Sequence, residues 1–257
     1  MYSPSVWTGQ LRPATHSRFR LVVFPHAGAG PQTYARLLSG LPGDVELTGV
    51  TLPGRERRAG ESPTGLLCAA VEGISGELAA LPPLPTLYWG HSMGSLLAVT
   101  VAAHRPGSCD ALVLTAGIPG PDALDFAAPL DTPEGLELMF TRHRLPLRAL
   151  DAGSGHSRAK YVLAHDLVLA RSALLGLGGI RLGLPLTAYA GADDPLVPAS
   201  TLPGWRDFTT GRFRSRTLAG GHFFPFLPSN GRSLLADIAD TLEFCALAGD
   251  TTRGVVR

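Results

Sequence analysis

Residues 86–104 read Thr-Leu-Tyr-Trp-Gly-His-Ser-Met-Gly-Ser-Leu-Leu-Ala-Val-Thr-Val-Ala-Ala-His, with Pro106 two positions further on. Thr86–Gly90 is apolar and aromatic and predicts a strand. Ser92–His104 predicts a helix that ends before Pro106, because a proline biases the residue ahead of it away from helical dihedrals. Between the two lies Gly90-His91-Ser92-Met93-Gly94. A G-x-S-x-G sequence in a strand–turn–helix setting forms a sharp, strained turn that lifts the serine hydroxyl above the sheet. The positive end of the following helix lies beneath it. An ordinary helix-capping serine would account for Ser92 but not for the two glycines. Ser92 is therefore the candidate nucleophile.

Outward from this point the pattern alternates strand and helix. Strands are predicted at Arg20–Phe24, Val45–Leu52, Ala111–Thr115, Leu184–Ala190 and Phe213–Leu218. Helices are predicted from Pro31, over Thr64–Leu81 with Thr64 as N-cap, and over Arg232–Leu247. Continuous apolar strands between helices imply an α/β fold, a mostly parallel sheet covered on both faces. The alternation fails between about residues 119 and 183, where only helical pieces near Pro133–His143 and His156–Leu175 are legible. An insertion of that size in one compact α/β domain, here residues 1–257, reads as a helical lid.

A serine nucleophile needs a base, and the chain order for this turn type is serine, acid, histidine. His104, His143, His156, His165 and His222 follow Ser92. His104 falls at a helix end, and His143, His156 and His165 fall in the insertion. His222 alone sits on a loop after the last strand, in Gly220-Gly221-His222-Phe223-Phe224. The acid belongs on the loop after the preceding strand, where Asp193 and Asp194 compete. The spacing Gly191-x-x-Asp194-x-x-Val197 and the rigid Pro195 favour Asp194. An oxyanion hole takes one N–H from the residue after the nucleophile, Met93. The second comes from the small-residue loop Pro25-His26-Ala27-Gly28-Ala29-Gly30, with Ala27 as the donor. His26 reads as a structural hydrogen-bonding residue.

Composition narrows the alternatives. The 257 residues carry a net charge of +1 with 45% hydrophobic side chains, which excludes a broadly basic nucleic-acid binder and a disordered chain. Cys68, Cys109 and Cys245 are scattered without a pairing pattern, as expected of a reducing, cytoplasmic setting. Arg12, Arg18 and Arg20 stand where a leader peptide would need an apolar run. The apolar stretch 173–192 is interrupted by Arg181, Pro185 and by Gly176, Gly178, Gly179 and Gly183, so it reads as a helix end, a loop and a buried strand, not a membrane span. A metal site lacks any ligand spacing. The Gly28-Ala29-Gly30 loop lacks the third glycine of a dinucleotide fingerprint, Thr33 standing there. No cofactor is expected.

Five stretches together carry a resemblance. They are Phe24-Pro25-His26-Ala27-Gly28, Leu52-Pro53-Gly54-Arg55-Glu56-Arg57-Arg58, Gly90–Gly94, Asp194-Pro195-Leu196-Val197 and Gly221-His222-Phe223-Phe224. In this order the chain resembles the type II thioesterases of polyketide and nonribosomal peptide pathways, in the α/β-hydrolase superfamily. Two positions depart from the family pattern. Ala29 replaces a second consecutive glycine, and His165-Asp166 stands where an Arg-containing Ala-Asp motif is common. The resemblance implies hydrolysis of an acyl or aminoacyl thioester on the phosphopantetheine arm of an acyl or peptidyl carrier protein, by Ser92, His222 and Asp194. It implies a monomer with no nucleic-acid or membrane partner. Arg57, Arg58, Arg142 and Arg144 are candidates for docking an acidic carrier, and Arg55 reads as structural. A general carboxylesterase, an acyltransferase of the same fold and, more distantly, a non-catalytic binding protein are the alternatives, because a triad does not encode what attacks the acyl-enzyme.

Overall fold

The computed structural model describes residues 7–13, 16–63, 65–120 and 153–253. Seven strands form one sheet: β1 (Thr8–Arg12), β2 (Phe19–Phe24), β3 (Val45–Val50), β4 (Thr86–His91), β5 (Ala111–Thr115), β6 (Leu186–Gly191) and β7 (Phe213–Leu218). Their spatial order is β1-β3-β2-β4-β5-β6-β7. Every neighbouring pair is parallel except β1 with β3.

The continuous apolar runs follow from the two buried faces. On β2, Val22 and Phe24 point into one core, and Phe19, Leu21 and Val23 into the other. On β4, Tyr88 faces the first core, and Leu87 and Trp89 the second. Helices α2 (Leu67–Ala79), α3 (Met93–His104) and α4 (Gly153–Leu175) close the first face. The short α1 (Ala35–Leu38) and the long α5 (Pro228–Arg253) close the second. Helix α3 is apolar nearly all round because it packs on the sheet, on α2 and on α4.

Several expectations are revised. The first strand, β1, has no legible signal: of Thr-Gly-Gln-Leu-Arg at this edge only Thr8 is buried. It is fixed from far away, by Glu77, whose carboxylate accepts the N–H groups of Trp7 and Thr8 at 2.7 Å each and the Thr8 hydroxyl at 2.8 Å. Helix α2 begins at Leu67 without a side-chain cap, since Leu66 offers no acceptor. Thr64 and the piece Pro133–His143 lie outside the described residues. At the opposite edge β7 is not covered on both faces: Arg214, Ser215, Arg216 and Thr217 are exposed. Arg216 is ion-paired there with Asp237, which also accepts the Tyr189 hydroxyl at 2.5 Å. The predicted helix near residues 156–175 is present as α4, but its second half is core. Leu169, Ala170, Ala173 and Leu174 are buried against the sheet-facing helices. Among the described residues no helix is long and apolar enough to cross a membrane.

Because β2, β4, β6 and β7 run parallel, their carboxyl ends open on one side of the sheet. That side of an open α/β sheet is where ligands bind.

Candidate active site

Ser92 stands between β4 and α3 with φ 55° and ψ −121°, a conformation that costs a non-glycine residue roughly 1–3 kcal/mol. Neighbouring bonds hold it there. Its N–H donates to the Thr115 carbonyl at 2.8 Å, and its own carbonyl accepts from Ser95 N–H at 2.9 Å. The flanking glycines are required by close approach. A Cβ on Gly94 would fall on the Phe24 carbonyl oxygen, and one on Gly90 would lie 2.5 Å from Ser95 Cα. The turn therefore packs directly onto the chain leaving β2. Ser92 makes no side-chain capping bond, so the capping reading of this serine does not hold.

Its hydroxyl instead meets His222, with Nε2 at 2.9 Å from Oγ. His222 Nδ1 lies 2.8 Å from Asp194 Oδ2. Asp194 Oδ1 accepts the N–H groups of Leu196 at 2.8 Å and Val197 at 3.1 Å. One carboxylate oxygen is thus fixed by its own turn and the other is left for the imidazole. This explains why the acid sits three residues before Val197. Asp193 is exposed and takes part only through its backbone, donating to the Gly220 carbonyl at 3.0 Å. The Asp194 and His222 side chains are almost wholly buried. In such an environment a carboxylate stabilises an adjacent imidazolium far better than it would in water.

Two further histidines pack around His222. His91 is fully buried, its ring 5.5 Å from that of His222, and its Nδ1 lies 2.9 Å from Thr115 Oγ1. Burial first, then the neighbouring His222 and His26, drives its pKa well below the ordinary value. His26 takes the Tyr34 hydroxyl at 2.6 Å on Nδ1. Burial, followed by the charges of His222 and Arg55, lowers its pKa to about 4. Both rings are neutral near pH 7, which leaves His222 as the ring placed to accept the Ser92 proton. The other expected positions are elsewhere: His104 closes α3, and His165 on α4 packs edge-on against Tyr161. His143 lies outside the described residues, and His156 is described only as part of α4.

The loop after β2 approaches the turn through the Gly94–Phe24 contact. Ala27, one of the two expected donors, lies on this loop, and Met93, the other, opens α3. The His26 carbonyl accepts from Ala29 N–H at 3.1 Å, and Gly28, at φ +82°, donates to Asp166 Oδ2 at 2.6 Å. Asp166, on α4, forms a buried bidentate ion pair with Arg55 at 2.5 and 2.6 Å. Removing one member of such a pair costs about 3–5 kcal/mol. Arg55 is thus structural, as expected. Its partner was not legible, because 111 residues separate the two; the only signal was that Asp166 falls in an atypical motif. Arg58, a docking candidate, is instead buried. It bonds Glu61 through Nε and Nη2 at 2.9 and 2.7 Å, donates to the Thr51 carbonyl at 3.0 Å, and lies 4.2 Å over the Trp7 ring. Arg57 is exposed; Arg142 and Arg144 lie outside the described residues.

Residues 19–105 match the family described as a thioesterase domain. The chain is 31% identical to a probable cadicidin biosynthesis thioesterase of Streptomyces griseus, over 85% of this chain, and spans 61% of that relative's length. Among solved structures it is similar to RedJ, a thioesterase from the prodiginine pathway of Streptomyces coelicolor. The identity is 28%, the TM-score 0.74, and 87% of this chain and 90% of that one are covered. It is also similar to BorB, the type II thioesterase of the borrelidin cluster, at 25% identity and a TM-score of 0.75, over 94% of this chain and all of that one. In its sheet order and its serine turn the chain shares the α/β-hydrolase fold of these thioesterases, to which it is similar.

Proposed function

We propose that this chain is a type II thioesterase that hydrolyses acyl or aminoacyl thioesters held on the phosphopantetheine arm of an acyl or peptidyl carrier protein. It would serve editing or release in a polyketide or nonribosomal peptide pathway. The observation that carries this reading is the relay from Ser92 Oγ through His222 to Asp194, at 2.9 and 2.8 Å, on a turn held at positive φ. His222 Nε2 takes the Ser92 proton as Oγ attacks the thioester carbonyl. The Ala27 and Met93 N–H groups stabilise the oxyanion, and Asp194 stabilises the imidazolium. The C–S bond breaks, and His222 returns the proton to the leaving thiolate. Water then gives a proton to His222 and attacks the acyl-enzyme. Ser92 Oγ recovers that proton as the acid departs. No cofactor enters these steps.

The relatives' biosynthetic roles support the substrate class. We assign the chain as one domain, with the insertion at about residues 119–183 as its lid. Leu163 on α4 lies 3.6 Å from the side-chain position of Gly28, which supports that insertion as a wall of the acyl site. Three free cysteines, two of them buried, support a cytoplasmic setting. The test compares kcat/KM for one acyl group on a carrier protein, on coenzyme A and on a simple thiol. A preference for the carrier supports this reading, and equal rates on all three, or faster oxygen-ester cleavage, refute it.

A further inference from the structure

The lid helix and the oxyanion loop share one buried carboxylate. Asp166 Oδ2 accepts both Gly28 N–H, at 2.6 Å, and Arg55 Nη1, at 2.5 Å. The same Arg55 nitrogen donates to the Ala29 carbonyl at 3.0 Å, and Nη2 bonds Asp166 Oδ1 at 2.6 Å and the Pro53 carbonyl at 3.4 Å. Three segments, residues 28–29, 53–55 and α4, are thereby tied by two side chains that are 7% and 4% exposed.

The consequence for Ala27 follows from peptide planarity. The Ala27 N–H lies in one plane with the His26 carbonyl and points the opposite way. That carbonyl is aimed by its bond from Ala29 N–H, and the next plane, Ala27–Gly28, is aimed by the bond from Gly28 to Asp166. The Ala29 carbonyl is held in turn by Arg55. We infer that Asp166, through its pair with Arg55, is a positioning residue that holds the oxyanion loop in its working conformation by tying it to the core-packed helix α4. The inference rests on the reading of Ala27 as an oxyanion donor.

The test uses the full chain and two variants. Arg55→Met/Asp166→Leu replaces the pair by apolar side chains, a change that buried pairs often tolerate in stability. It removes the acceptor of Gly28. Asp166→Asn removes the charge and retains an oxygen for Gly28. A control, Glu46→Gln, removes the charge from the half-buried Arg20–Glu46 pair (2.7 Å) at the opposite end of the sheet. Each is measured for melting temperature, for kcat and KM on a short acyl-N-acetylcysteamine thioester, and for inhibition by an alkyl boronic acid, which mimics the tetrahedral state.

In the double variant we expect kcat to fall about 10²-fold, the scale of losing one oxyanion donor. KM should change less than about threefold, and boronate affinity should fall in parallel with kcat/KM. Asp166→Asn should recover part of the loss, and the control should lose melting temperature alone. Unchanged kcat in either folded variant, or a fall in kcat with boronate affinity unchanged, overturns the inference. If the double variant does not fold, Asp166→Asn decides by the same two readings. A wild-type enzyme that the boronate does not inhibit overturns the serine mechanism itself, and so is distinguishable from failure of the coupling alone.

Discussion

The hydroxyl of Tyr34 meets His26 twice: it accepts the backbone N–H at 3.1 Å and lies 2.6 Å from ring Nδ1. One hydroxyl thus holds both the backbone and the ring of His26, pinning the loop after β2 beside the serine turn.

This pairing sets an acid-stability prediction. His26 titrates at about 4 in the folded chain, below its ordinary 6.5. An unfolded chain therefore binds more protons between those values, and stability rises with pH across the window. The contribution is full above pH 6.5 and is lost as the pH falls through about 4. Buried His91 acts in the same direction. Urea denaturation from pH 7 to 4 should show a decline to which His26 contributes on the order of 1–3 kcal/mol. His26→Gln should flatten that slope; an unaltered slope would refute the assignment.

The relay predicts a graded series. Ser92→Ala should abolish turnover and fluorophosphonate labelling while the melting temperature holds. His222→Ala should cost a comparable amount, and Asp194→Asn less, against a scale of roughly 10⁶ in rate for a complete loss. Asp193→Asn should stay within about twofold, because only its backbone is engaged. Steady-state kinetics on one thioester decides all four.

The turn predicts a packing limit. Gly94→Ala would set a methyl group on the Phe24 carbonyl. We expect a loss of roughly 1–3 kcal/mol or more in stability, as for other overpacked sites, together with loss of activity. Thermal melts beside labelling rates measure both.

Docking predicts a split between two neighbouring arginines. Arg58→Ala should lower stability, since its guanidinium is buried against Trp7 and Glu61. Arg57→Ala should cost less stability than Arg58→Ala and raise KM for the carrier substrate alone at low salt. Screening over about 10 Å at 0.1 M salt should erase that difference.

The legible parts of this chain are those whose signal is local. Val22, Phe24, Leu112 and Leu114 alternate with residues buried on the other face, so β2 and β5 appear as unbroken apolar runs. Ser92, Asp194 and His222 each sit beside glycine or proline at a strand end, and their order along the chain is diagnostic. What escaped is held by distant partners. Strand β1 depends on Glu77, and Asp166 on Arg55. The irregular helical stretch Ala199–Phe208 contains Pro203 and is anchored by Trp205 Nε1 on the Gly117 carbonyl at 3.1 Å. No periodicity encodes such pairings; they exist only once the sheet has formed.

The three relay residues follow β4, β6 and β7, and none comes from the segment between β5 and β6. The sheet therefore carries the reacting groups, while helix α4 of that segment is tied to the loop after β2 through Asp166. Such a division lets selection exchange the enclosure without rebuilding the reactive centre. Among descendants of one ancestor, the β5–β6 segment is where sequence divergence can accumulate fastest, provided that an acid remains opposite Arg55.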